Sequence, residues 1–231
     1  TDTLVLAAQG RCEYQVVIPD SAASDDLHRL LRETADLIAK AFAANGFTLS
    51  VVIESQRDPA KPGLYLGRTQ FAEGHGVALE TLRDWSYVHR VVGRDLILAG
   101  NDVPHPAQLA GLETSQGQPI VGARAGTIKA VADFLHRYVR TRFLYPDGET
   151  GIEFMPQPAI MVPGDLNAMV APKLIFSSAR TWGNYGARAP LVASRDLYSI
   201  ANNYFPITDL DWKVHTYDRA IPVSQYQQSN P

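Results

Sequence analysis

The sequence predicts an α/β (α+β) fold, a mixed β-sheet with two main amphipathic helices packed on one of its faces. Apolar residues recur at spacings of three and four from Leu27 to Phe42 and again from Ile128 to Val139, the period of a helix with one buried stripe. Around these stretches lie short runs rich in β-branched and aromatic residues, each bounded by Gly, Pro or Asn. With 231 residues, 45% hydrophobic and 19% charged, the chain carries enough apolar surface for a core and too little charge for disorder.

Leu4 to Ala7 and Tyr14 to Ile18 read as two strands joined by a turn at Gln9-Gly10-Arg11. Ser21 or Ser24 can cap the first helix, with Asp25 and Asp26 in its first turn, where carboxylates favour the exposed amides. Its inward face is Leu27, Leu30, Leu31, Ala35, Ile38 and Phe42, and Asn45-Gly46 supplies its exit. Leu49, Val51 and Ile53 mark a strand, Asp58 to Gly63 a turn-rich link, and Leu64-Tyr65-Leu66 another strand. The stretch from Phe71 to Leu79 carries no clear pattern. Trp85 to Val92 and Asp95 to Ala99 flank Gly93-Arg94 as a hairpin. Asn101 to Ala125, with several Gly and Pro, reads as a long connection over one end of the sheet. Thr127 opens the second helix, with Ile128, Val131, Ala132, Leu135, Tyr138 and Val139 facing inward and Arg140 or Arg142 at its end. Phe143 to Tyr145, Gly151 to Met155 and Ala159 to Pro163 are three further extended segments. The expected organisation is an α/β domain over 1–165, then an extended, aromatic-rich segment over 166–231.

A net charge of -3 and the lack of a basic block argue against nucleic acid as a partner. No apolar run reaches the roughly 20 residues of a membrane-spanning helix. The chain begins at Thr1 without a leader, which fits a removed signal peptide, as expected of a secreted or periplasmic protein, and equally a trimmed N-terminus. Cys12, the single cysteine, can form no intrachain disulfide and reads as an inert, buried thiol. The six histidines, His28, His75, His89, His105, His136 and His215, show no ligand spacing, so no metal and no cofactor is expected.

Gly122 to Thr127 precedes a helix start, where free amides could hold an anion. It lacks both the dinucleotide fingerprint and the Walker lysine, and the simpler reading is that Gly126 permits a tight helix entry. Glu73, Glu80, Asp84, Asp102, Asp147, Glu149 and Glu153 are candidates for a glycosidase-type carboxylate pair. Spacing selects none of them, so no catalytic residue is assigned.

The helix Leu27 to Gly46, the strands Gly63-Leu64-Tyr65-Leu66-Gly67 and Asp95 to Gly100, and Gly126-Thr127-Ile128-Lys129-Ala130-Val131-Ala132-Asp133-Phe134-Leu135 running on to Arg142-Phe143-Leu144-Tyr145-Pro146 occur in a telling order. Together they resemble the N-terminal accessory domain of alpha-glucuronidase-like glycoside hydrolases and of bacterial proteins with a glycosidase-like region. A similar non-catalytic domain precedes the beta-hexosaminidase barrel. The likeness runs from about Val16 to Pro172 and continues faintly in His215 to Pro222, with Tyr226 and Asn230-Pro231. It implies a non-catalytic domain acting in glycan degradation, whose partner is a (β/α)8 barrel that should follow in the same chain and is cut off here. The family's catalytic carboxylates belong to that barrel, so none transfers to these positions. The alternative is a carbohydrate-binding module, with Trp85, Trp182 or Trp212 as sugar-stacking platforms and a glycan as partner. A third reading, a small enzyme, needs an acid pair or an acid–histidine pair converging in one place.

Overall fold

The structure, a computed structural model, describes residues 2–20, 25–82, 86–113, 119–144 and 151–171. Its centre is a six-stranded mixed sheet built from β3 (Gln15–Ile18), β4 (Ser50–Ile53), β5 (Gly63–Leu66), β6 (Tyr87–Val92), β7 (Asp95–Gly100) and β13 (Asn167–Val170). The order across the sheet is β13-β6-β7-β5-β3-β4. The four strands β4, β3, β5 and β7 run parallel, and β6 and β13 are added antiparallel at one edge. Every residue of β3 and β5 is buried, as expected of inner parallel strands covered on both faces. At the edge, β4 is only half-covered.

Strand alternation divides the core. Val16, Ile18, Leu64, Leu66, Leu96, Leu98 and Tyr87 face helices α1 (Asp25–Ala43) and α3 (Gly126–Tyr138). Val17, Tyr65, Val88, Ile97 and Ala99 face the other way, under Ala72, Val77, Leu79 and Leu82. Both helices therefore lie on one face and touch each other, as their stripes predict. From α1, Leu31, Ala35, Ile38 and Phe42 are fully buried; α3 is buried more broadly, including Ala130, Phe134 and Lys129. A three-stranded sheet of β12 (Ala159–Pro163), β1 (Thr3–Ala8) and β2 (Arg11–Cys12) closes the same core, contributing Leu6, Ala7, Ile160 and Val162. β10 (Thr141–Phe143) pairs with β11 (Ile152–Phe154), beginning two residues before the expected Phe143 to Tyr145, because α3 ends at Tyr138 and Arg142 lies in the strand rather than at the helix end.

Four expectations change. The turn after β1 leads into the short strand β2, and β3 belongs to the other sheet, so the first two predicted strands are not partners. The unmarked stretch holds α2 (Gln70–Gly74) and a 3₁₀ turn at Leu79–Thr81, each too short to display a period. The long connection is a hairpin of β8 (Asp102–Glu113) and β9 (Pro119–Ala125), whose register shifts twice. Asn167–Val170, just past Pro163 where the sequence loses its pattern, is the sheet's edge strand.

Two local devices set the strand ends. Val92 pairs with Asp95, leaving the two-residue turn Gly93-Arg94, and Gly93 takes the positive φ of 61° that such a turn requires. Buried Gln15 fixes the link between β4 and β5: its amide donates to the Asp58 carbonyl at 2.7 Å and accepts from the Asp58 amide at 3.0 Å.

Candidate functional site

In open parallel sheets ligands bind beyond the carboxyl ends of the strands, where the chain switches direction across the sheet. Here the chain passes from β3 outward to β4 and then back across to β5, so the carboxyl edge is the first place to look. Four of its polar side chains are Asp20 after β3, Glu54 after β4, Thr69 after β5 and Asp102 after β7. Each accepts a hydrogen bond from a backbone amide of a following segment. Asp20 takes the Ser55 amide at 2.8 Å, and that bond holds its carboxyl below the usual carboxylate range. Glu54 takes the Gln70 and Phe71 amides at 2.8 and 2.9 Å, and Thr69 takes that of Ala72 at 3.1 Å, so the two together cap α2.

Asp102 takes the Thr127 amide at 2.9 Å and the Thr127 hydroxyl at 2.5 Å, while the same hydroxyl accepts from the Gly100 amide at 3.1 Å. The Asp102 residue is half-buried but its carboxyl is enclosed. Burial pushes the carboxyl up to about 6, against the hydrogen bonds from Thr127 and the charge of Arg68. The backbone packs tightly around it. A Cβ on Gly100 would lie 2.2 Å from the Gly126 carbonyl carbon, and one on Gly126 would lie 2.5 Å from the Asn101 nitrogen. The start of α3 is thus closed by a carboxylate of its own chain. This favours the structural reading of Gly126-Thr127 over an anion site, and Gly122 to Ala125 are part of β9.

Among the candidate carboxylates, Glu73 and Glu80 each lie 3.3 Å from a different nitrogen of Arg68, all three on the surface. Asp102 feels the charge of that same arginine. Glu153 sits apart on β11, 3.6 Å from Arg142. Asp84, Asp147 and Glu149 lie outside the described residues, as do His215 and the three tryptophans Trp85, Trp182 and Trp212. Among the described residues no group of three His, Cys, Asp or Glu could hold a metal ion. Cys12 is half-buried and burial pushes its thiol up, away from the reactive thiolate.

One cluster has no counterpart among the residues singled out in the sequence. Tyr87 and His89 on β6 are 2% exposed and Lys129 on α3 is 6% exposed; all three gather about Asp133, which pairs with Arg137 at 2.8 Å. Tyr87 hydrogen-bonds to Asp133, and burial, followed by that carboxylate, raises its phenol. His89 Nε2 lies 2.8 Å from the Ala130 carbonyl, which requires the proton on Nε2. Burial holds the imidazole below its usual value, and it lowers the Lys129 ammonium as well. An acid beside a histidine, a tyrosine and a lysine is the composition of a proton-transfer site. Tyr87, His89 and Lys129, however, are buried between β6 and α3, whereas Asp133 is half-buried and Arg137 lies on the surface. The sequence signal is Lys129, Asp133 and Arg137 at steps of four, set against Tyr87 and His89 two apart on a strand. Compared with known protein families and with curated proteins, the chain matches none.

Proposed function

We propose that this chain is a non-catalytic accessory domain of a glycoside hydrolase-like enzyme, a scaffold that supports a carbohydrate-cleaving barrel. The observation that carries the reading is the carboxyl edge of the sheet. Asp20, Glu54, Thr69 and Asp102, which occupy the place of ligand-binding side chains in an open parallel sheet, are all hydrogen-bonded to amides of their own chain. The residues on which the resemblance rests, a glycine-ended strand and then a Gly-Thr helix start, coincide with the tight junction at that edge between Gly100 and Gly126. Packing thus accounts for the residues that carry the resemblance.

Isothermal calorimetry of the chain against neutral and uronic-acid oligosaccharides tests this. A scaffold gives no saturable heat and releases no reducing sugar. Saturable binding lost on replacing Trp85, Trp182 or Trp212 by Ala would replace the scaffold reading with a carbohydrate-binding module. Turnover abolished by Asp133→Asn would replace it with an enzyme.

A further inference from the structure

We propose that Asp102 and Thr127 form a proton-linked latch at the root of the β8–β9 hairpin, one that holds more tightly in acid than at neutral pH. Both strands of the hairpin leave the sheet at one point. β7 ends at Gly100, β8 begins at Asp102, β9 ends at Ala125 and α3 begins at Gly126. Asp102 pairs with Ala125 in the ladder, and the Gly126 amide donates to the Asn101 carbonyl at 3.1 Å. Among the described strands, β8 and β9 pair only with each other, and the root is where their backbone joins the central sheet and α3.

The junction is also tightly packed. Gly100 and Gly126 approach too closely for a Cβ on either, and a Cβ on Gly67 would come within 3.7 Å of Asp102 Oδ2. A carboxylate enclosed by backbone loses its hydration. The compensation comes from Thr127 and from Arg68, whose guanidinium is shared with Glu73 and Glu80. Enclosure outweighs these partners and pushes the group up from 3.8 to about 6. Opening the root readmits water, so an ionised Asp102 favours the open form and a protonated one the closed form.

The test is amide hydrogen exchange on the whole chain at about pH 5 and about pH 7.5, with rates corrected for intrinsic chemistry. For Thr127, whose amide Asp102 accepts, and Gly100, whose amide Thr127 accepts, protection should be about tenfold higher in acid, following the upward shift of Asp102. In Asp102→Asn the ratio should fall to about one. Equal protection at both pH values, or a variant that keeps the difference, would overturn the latch. Should the variant not fold, the Asp102 carboxyl resonance of the unaltered chain decides: a midpoint near 6 supports the proposal and one near 3.8 overturns it.

Discussion

Gly126 and Ser86 lie within one van der Waals contact of each other, and their substitutions by alanine should have opposite effects. A Cβ at Gly126 would stand 2.5 Å from the Asn101 nitrogen and 2.8 Å from the Ser86 carbonyl oxygen. Both obstacles are backbone, so relief requires β7 and α3 to separate. The cost should be about 3 kcal/mol or more, well above the roughly 1 kcal/mol that alanine gains over glycine in a helix. The Ser86 hydroxyl, in contrast, is buried with no hydrogen-bond partner among the described residues. Ser86→Ala removes a desolvated polar atom and should stabilise by roughly 1 kcal/mol. Urea unfolding of the two variants should move the midpoint in opposite directions, and a destabilised Ser86→Ala would mean that the hydroxyl is satisfied in solution.

At the scale of elements, helix α3 joins the layers: it packs on β6 and β7, on α1 and on β12. Phe134 on this helix is fully buried, and Phe134→Ala should cost about 3–5 kcal/mol through lost transfer and a cavity. Met169 on edge strand β13 is 70% exposed, and Met169→Lys should change stability by no more than about 0.5 kcal/mol. Guanidinium unfolding curves check both; a large loss for Met169→Lys would mean that something covers this edge. The contrast also explains what the sequence could reveal. The helices, the β6–β7 hairpin and the inner strands were legible because burial imposes a period, a turn residue or a continuous apolar run on them. Strand β13 was not, since four alternately exposed residues after Pro163-Gly164 look like any loop, and its partner β6 lies far earlier in the chain. Helix α2 was hidden too, because half of its cap comes from Glu54, 16 residues upstream. For the candidate site, Gly126 and Thr127 could be read as a tight helix entry. Asp102 could not be singled out, because its partner Thr127 is 25 residues away across a hairpin that sequence alone rendered as a loop. The Tyr87–Asp133 cluster was missed for a different reason: polar residues at helical spacing normally mark a solvated face, and here a strand carrying polar side chains packs over the inner part of that face, burying Lys129 and half-burying Asp133 while Arg137 stays exposed.

For the whole molecule, two buried groups on different parts of the sheet tie stability to pH with opposite signs. His89 is held below its usual value of 6.5 by burial, so as pH falls past about 6.5 the unfolded chain takes up a proton that the folded chain resists, and stability is lost. Asp102 is pushed up from 3.8 to about 6 by burial. As pH falls through about 6 the folded chain is the one that takes up the proton, and stability is gained until about 3.8. Between neutral and mildly acidic pH the two contributions oppose each other, which flattens the profile of the unaltered chain. Removing one should expose the other. Asp102→Asn should lose stability more steeply than the unaltered chain as pH is lowered from about 7 to about 5, because only the histidine is left to respond. His89→Gln, which keeps a donor for the Ala130 carbonyl, should lose less or gain over the same range. Urea midpoints measured across that range decide the matter: slopes that stay parallel in all three proteins would show that neither group is buried in the charge state described.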